Sequence, residues 1–230
     1  MRKEWHVGIV IPARNEQEFI GTVIESIPDF VDKIIVVNDG SSDNTKKIVE
    51  EKINNKNKIE LINLAGEGVG RAIDYGHQYL LDNLQKPFVS VVMAGDGQMD
   101  VEDLPHVIEP IIQEQTDHVK GNRFHHPDGT GNMPATRKLA SKLLGFFTTL
   151  AAGRQVTDPQ CGYTATSHIV LENWNWNVSW KGYGYPNYWL IEMSKKSFRL
   201  KEVPVKSVYA NEKSGIKNFS FFISVGLMIT

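Results

Sequence analysis

Four short runs rich in β-branched residues, His6–Ile11, Lys33–Val37, Lys58–Ile62 and Phe88–Met93, recur with longer amphipathic segments between them. Runs this apolar have no polar face to turn to water, so they suit strands covered on both sides. The intervening segments, Glu16–Ser26, Asp43–Lys52, Gly70–Leu84 and Val101–Gln115, carry apolar residues at helical spacing. Strand and helix alternating in this way predict an α/β fold with a Rossmann-like, mostly parallel central sheet flanked by helices. Ser42 and Asp43 offer cap oxygens to the second helix and Asp100 to the fourth.

Beyond Asp117 the periodicity weakens. A short strand at His118–Gly121, a polar loop at Phe124–Met133, a helix at Thr136–Ala151 and a last strand at Phe198–Val205 are expected, making an irregular second half. With 230 residues, 41% hydrophobic and 23% charged, the chain can bury one full core, and no repeat or linker divides it. Residues 1–217 are therefore taken as one domain, followed by an apolar segment, 218–230, about half the ~20 residues a membrane span requires. That segment is expected to lie at a membrane interface or to begin a longer membrane region. The single cysteine, Cys161, excludes an intramolecular disulfide framework and fits a reducing compartment. The N-terminal apolar run is short and ends at Pro12, unlike a secretory signal, so a cytoplasmic location is expected. A formal net charge of -2 without single-sign runs argues against nucleic acid as a partner.

In an open parallel sheet the ligand crevice lies beyond the carboxyl ends of the strands. Here the four strands run into Pro12-Ala-Arg-Asn-Glu16, Asn38-Asp-Gly-Ser-Ser-Asp-Asn-Thr45, Ala65-Gly-Glu-Gly-Val-Gly-Arg71 and Ala94-Gly-Asp-Gly-Gln-Met-Asp100. The second tip is also what an Asp-Gly turn before a capped helix looks like. The third is not a GxGxxG phosphate loop; its glycines admit a ligand or a neighbouring backbone. The fourth carries the sharpest signal. Asp96, between two glycines at the end of a buried strand, suits a hard cation such as Mg²⁺ or Mn²⁺, which takes one or two carboxylates and fills its shell with phosphate oxygens and water. Asp100 is better read as a helix cap.

In this order the motifs Val10-Ile-Pro-Ala-Arg-Asn-Glu16, Ile34-Ile-Val-Val-Asn-Asp-Gly-Ser-Ser-Asp-Asn-Thr45, Gly68-Val-Gly-Arg-Ala72, Ala94-Gly-Asp-Gly-Gln98, Gly121-Asn-Arg123, Asp158-Pro-Gln-Cys-Gly-Tyr163, Glu202-Val-Pro-Val205 and Ser214-Gly-Ile-Lys217 resemble the inverting nucleotide-sugar glycosyltransferases of family 2, which have the GT-A fold. The resemblance runs from Val7 to about Lys217 and is nearest to the polyprenyl-phosphate sugar synthases. It implies a UDP- or GDP-sugar donor bordered by Pro12, Ala13, Glu16 and Gly68, with Asp39 on the base and Asp96 binding Mg²⁺ or Mn²⁺ on the diphosphate. It implies Gly121 and Arg123 beneath the sugar or phosphates, Arg137 and Lys217 on donor or acceptor phosphate, and Asp158 near the reacting centre. Arg123 and Asp158 are the implied catalytic pair, although surface ion pairing is the simpler reading of Arg137. Two positions depart from the family: Ala94 replaces the first carboxylate of Asp-x-Asp, and Val69 stands where lysine is common.

Displacement at an anomeric carbon needs a stabilised leaving diphosphate and a nucleophile on the opposite sugar face. An alcohol acceptor, such as a glycan hydroxyl, would need a base, for which Asp158 is the candidate. A lipid phosphate, with a second pKa of about 6, would need none. Basic candidates together with the apolar C-terminal segment favour a polyprenyl phosphate, met at the cytoplasmic face of a membrane during assembly of cell-envelope glycans. The rival classes are a sugar-phosphate nucleotidyltransferase and a non-catalytic nucleotide-sugar binding module.

Overall fold

The computed structural model describes residues 4–54, 57–130, 133, 135–178, 180–182 and 184–208, with the side chains of 135–137 left out. The apolar runs form β1 (His6–Ala13), β2 (Lys33–Asp39), β3 (Ile59–Leu64) and β4 (Phe88–Val92), joined by α1 (Ile20–Ser26), α2 (Thr45–Ile53) and α3 (Val69–Asn83). After α4 (Leu104–Ile112) come β5 (His118–Asn122), α5 (Ala135–Ala152), β6 (Thr164–Ser167), α6 (His168–Glu172), α7 (Tyr185–Lys195) and β7 (Leu200–Pro204). The strands make one sheet in the order β3-β2-β1-β4-β6-β5-β7. All neighbours pair parallel except β6, which runs antiparallel to both β4 and β5.

Period-two alternation divides the core. Ile9 and Ile11 of β1 face one side with Ile34, Val36 and the helices α1 and α4, whereas Val10 faces the other with Ile35, Val37 and α3. Each such side chain, fully buried, contributes roughly 1.5–3 kcal/mol of transfer free energy. α3 lies unusually close to β1: a Cβ on Gly8 would meet Leu80 Cδ2 at 2.6 Å, and one on Gly76 would strike Val10. The second face is completed by Val170 and Leu171 of α6, by Trp174 just beyond it and by Tyr185 and Trp189 of α7, where Trp174 stacks on Trp189 with centroids 3.9 Å apart. His77 of α3 is sealed there, its Nδ1 2.7 Å from Ser90 Oγ and its Nε2 3.3 Å from Tyr185 Oη.

Several boundaries differ from expectation. The first helix begins at Ile20 rather than Glu16, because the Glu16 and Gln17 N–H groups donate to Thr45 Oγ1 and Asp43 Oδ2 across the crevice edge. Ser42 does not cap α2; its N–H and hydroxyl both donate to Asn15 Oδ1, while Asp43 accepts from Thr45 N. Asp100 does cap its helix, accepting from Glu102 N at 3.0 Å, and the first turn is 3₁₀ before α4 proper begins. β6, α6 and α7 were not anticipated. Residues 218–230 lie outside the described part.

Candidate active site

The reversed strand organises the crevice. β1, β2, β3, β4, β5 and β7 all end on one edge of the sheet, and β6, running the other way, begins there. The segment Asp158–Tyr163 that leads into β6 is thereby delivered to the same edge, between the tips of β4 and β5.

Side-chain to backbone hydrogen bonds lace the tips together. Asn15 N donates to Ser41 Oγ and Glu16 N to Thr45 Oγ1, tying the β1 tip to the β2 tip. Asp39, only 3% exposed, accepts from Glu67 N at 2.6 Å and from Gly68 N at 2.8 Å, tying the β2 tip to the glycine-rich loop. Gly40, at φ +69°, lets that loop pass; a Cβ there would lie 2.9 Å from Gly66 N. Pro12 O accepts from Gly95 N, tying β1 to the β4 tip, where Pro12 and Ala13 are buried. The sequence placed Asp39 on the nucleotide base; the structure gives both its oxygens a loop to hold.

The glycines before α3 make room for protein backbone. The Lys181 carbonyl accepts from Gly70 N at 3.1 Å, and a Cβ on Gly68 or Gly70 would collide with the carbonyls of Lys181 or Trp180. This crossing strap was not legible in the sequence.

At the β4 tip, Asp96 is half-buried and its Oδ1 accepts from Gln98 N at 3.0 Å. Gly97 next to it takes φ +72°, a conformation glycine adopts at little cost. Among the described residues no three His, Cys, Asp or Glu side chains group closely enough to cage a metal. A single carboxylate at a strand tip nevertheless fits Mg²⁺ or Mn²⁺, ions that leave most of their shell to phosphate and water.

At the β5 tip, Arg123 and Asp158 form a buried fork: Nε to Oδ2 and Nη2 to Oδ1 are each 2.7 Å, and Arg123 N donates to Oδ2 at 3.0 Å. Asp158 is 0% exposed. Burial by itself raises its pKa, but the hydrogen bonds and charge of Arg123, with Lys120 nearby, outweigh that and hold the carboxyl below its ordinary value. A general base needs the opposite setting: a raised pKa and a free lone pair.

Glu202 of β7, a residue to which the sequence assigned no role, holds the fork from behind. Its carboxylate accepts from Thr157 N at 3.0 Å, Thr157 Oγ1 at 2.7 Å and Asn122 Nδ2 at 2.8 Å. Asn122 in turn accepts from Phe124 N and His125 N, shaping the turn that carries Arg123. Lys120, 1% exposed, donates to the Cys161 carbonyl, and burial lowers its pKa. The only hint of Glu202 in the sequence was its place in Glu202-Val-Pro-Val205. Gly121 fits closely, since a Cβ would lie 2.8 Å from Val205 Cγ2. Beyond β7, Val208 N donates to Gln98 O, so the described chain ends beside the Asp96 loop. The side chain of Arg137 and all of Lys217 lie outside the described residues.

A mostly parallel sheet with a reversed strand before its edge, a metal-competent carboxylate at one tip and an anchored arginine two strands away define a GT-A nucleotide-sugar transferase. Residues 8–174 match the model of glycosyl transferase family 2, and the chain belongs to that family. It is 34% identical to the UDP-N-acetylglucosamine–dolichyl-phosphate N-acetylglucosaminyltransferase of Methanococcus voltae, over 88% of this chain and 86% of the relative. It is 25% identical to the undecaprenyl-phosphate 4-deoxy-4-formamido-L-arabinose transferase of Pectobacterium carotovorum, over 97% of this chain and 65% of the relative. Among solved structures, glucosyl-3-phosphoglycerate synthase from Mycobacterium tuberculosis with Mn²⁺, UDP and phosphoglyceric acid superposes with a TM-score of 0.67 at 20% identity, over 99% of this chain and 76% of that one. That likeness shows the fold.

Proposed function

We propose that the protein transfers a sugar from a UDP- or GDP-sugar to a polyprenyl phosphate, with inversion at the anomeric carbon. The observation that carries this reading is the Arg123–Asp158 fork. Both oxygens of Asp158 serve Arg123, so the carboxylate suits positioning and not proton abstraction, and the acceptor is one that needs no base. The lipid-phosphate acceptors in the names of the two relatives support the same choice.

Pro12, Ala13, Glu16 and Gly68 would border the nucleotide, with Asp39 acting through the loop it holds and, at the edge, on the base. Asp96 would hold Mg²⁺ or Mn²⁺, which would neutralise charge on the departing diphosphate. Arg123, held in place by Asp158, would lie beneath the sugar or phosphates at the β5 tip, and Arg137 and Lys217 would meet the acceptor phosphate. An acceptor phosphate oxygen forms the new bond to the anomeric carbon while the bond to the donor diphosphate breaks from the opposite face, the electron pair leaving with the nucleoside diphosphate. No proton moves, because a phosphate with a second pKa of about 6 is already an anion at neutral pH. The setting would be the cytoplasmic face of a membrane.

A donor-hydrolysis screen across nucleotide sugars with Mn²⁺ would identify the sugar and base, and an Asp96→Asn variant tests the metal. We expect turnover to fall by ~10²–10³-fold, in line with losing a principal electrostatic group, with an unchanged circular dichroism spectrum. Full activity in metal-stripped protein with excess chelator would overturn the metal assignment. Pyrophosphate release from a nucleoside triphosphate plus sugar phosphate would instead identify a nucleotidyltransferase, and donor binding without consumption a binding module.

A further inference from the structure

Helix α5 is built inside out. Leu139, Leu143, Phe146, Phe147 and Leu150 are between 42% and 71% exposed. At 100° per residue they fall within an arc of about 100°. The opposite face, turned to the protein, carries Ser141, Leu144, Gly145 and Thr148, all buried, and Thr148 Oγ1 accepts from Asn187 Nδ2 of α7 at 2.6 Å. Ordinary surface helices bury the apolar stripe and expose the polar one. A contiguous patch of five large apolar side chains is what soluble monomers avoid and what interaction sites display.

The charge around the stripe selects its partner. Residues 129–157 contain no Asp or Glu but include Arg137, Lys138, Lys142 and Arg154. Lys138 and Lys142, spaced i and i+4, run along one flank of the stripe. Basic residues beside an apolar face fit an anionic lipid surface, and two copies of the same face would set like charges together. The helix can lie on a bilayer without spanning it; among the described residues no helix is long and apolar enough to cross a membrane.

We infer that α5 docks the protein on an anionic bilayer, its Leu/Phe stripe entering the headgroup–acyl boundary by ~5–10 Å. The inner face of the same helix rests on the segment before Asp158: a Cβ on Gly145 would lie 3.1 Å from Val156 O and 3.2 Å from Thr157 O. Docking through α5 therefore sets the Arg123–Asp158 end of the crevice beside the lipid. This inference stands on the helix and not on the acceptor reading, and a binding assay without donor keeps the two separable.

The test is co-sedimentation of the full chain with sucrose-loaded vesicles of equal parts phosphatidylcholine and phosphatidylglycerol. Wild type should bind these, bind pure phosphatidylcholine less well, and release as salt rises. The variant Leu143→Ser/Phe146→Ser/Leu150→Ser should keep its thermal midpoint and its donor hydrolysis while losing vesicle affinity by about tenfold or more, since each exposed apolar side chain contributes over 1 kcal/mol when buried. Failure of wild type to bind would overturn the inference. So would equal binding by the variant, which would move the contact to another segment, or a wild-type dimer in lipid-free sedimentation that the variant converts to monomer.

Discussion

At the scale of single residues, the structure separates groups that hold the site from groups that meet substrate. Asp158 is the clearest case. Removing its charge while Arg123 stays buried should cost about 3–5 kcal/mol of stability, the usual penalty for orphaning one partner of a buried pair. Asp158→Asn should therefore lower the urea midpoint and reduce kcat together. If the acceptor is a phosphate, the pH dependence of the remaining rate should still rise through about pH 6 to a plateau, following the acceptor's second ionisation. Loss of that profile in the variant, with transfer restored by raising pH, would make Asp158 the base instead. Glu202 belongs with Asp158. Glu202→Gln keeps the shape but weakens the acceptors for Thr157 and Asn122, and we expect a lower kcat with donor KM unchanged, measured by initial rates. A reduced thermal midpoint with full kcat would leave Glu202 a purely structural group.

At the scale of elements, the sheet makes a pH prediction. His77 is buried between α3, β4 and α7, and burial pushes its pKa down from 6.5 to about 3. His118 of β5, hydrogen-bonded to Thr166 Oγ1 and buried, is held well below its ordinary value, first by burial and then by the charge of Lys120. Between about pH 6.5 and 3 the unfolded chain binds protons that the folded one refuses, so stability is fully present above 6.5 and declines as pH falls. His77 alone contributes about 1.4 kcal/mol per pH unit across that window, and His118 acts in the same direction. Urea titrations at pH 7 and pH 5 should show the loss, and His77→Gln should reduce the slope. A slope unchanged in His77→Gln would show that His77 titrates normally.

The same scale explains what the sequence made legible. β1, β2 and β4 announce themselves because both faces are buried and both must be apolar; β3, expected to be covered on both sides, is the edge strand, and of its residues only Ile59 is fully buried. β6 does not: Thr164-Ala-Thr-Ser167 is short and carries hydroxyls inward, Thr166 Oγ1 pairing with the buried His118. α7 was hidden for a related reason. Tyr185-Pro-Asn-Tyr-Trp-Leu carries polar Asn187 buried against Thr148, so its period is blurred by an inward hydrogen bond. The tips of β1, β2 and β4 were readable as a crevice, but which partner each side chain takes was not, since Asp39 reaches a loop 28 residues away. The helix expected at Thr136–Ala151 is there as α5, with its exposed face apolar.

At the scale of the whole molecule, one reversed strand brings the Asp158 segment to the edge where the Asp96 loop and the Arg123 turn already lie, and one inverted helix carries that edge toward lipid. Fold and family agree on sugar transfer from a nucleotide donor. The acceptor is the central claim. It is tested most directly by incubating the protein with radiolabelled nucleotide sugar, Mn²⁺ and a short-chain polyprenyl phosphate in detergent, beside a panel of glycan hydroxyl acceptors, and determining the product's linkage by NMR. The account predicts a sugar phosphodiester of inverted anomeric configuration, formed by wild type and not by Asp96→Asn. Transfer confined to the hydroxyl acceptors and abolished in Asp158→Asn would contradict it.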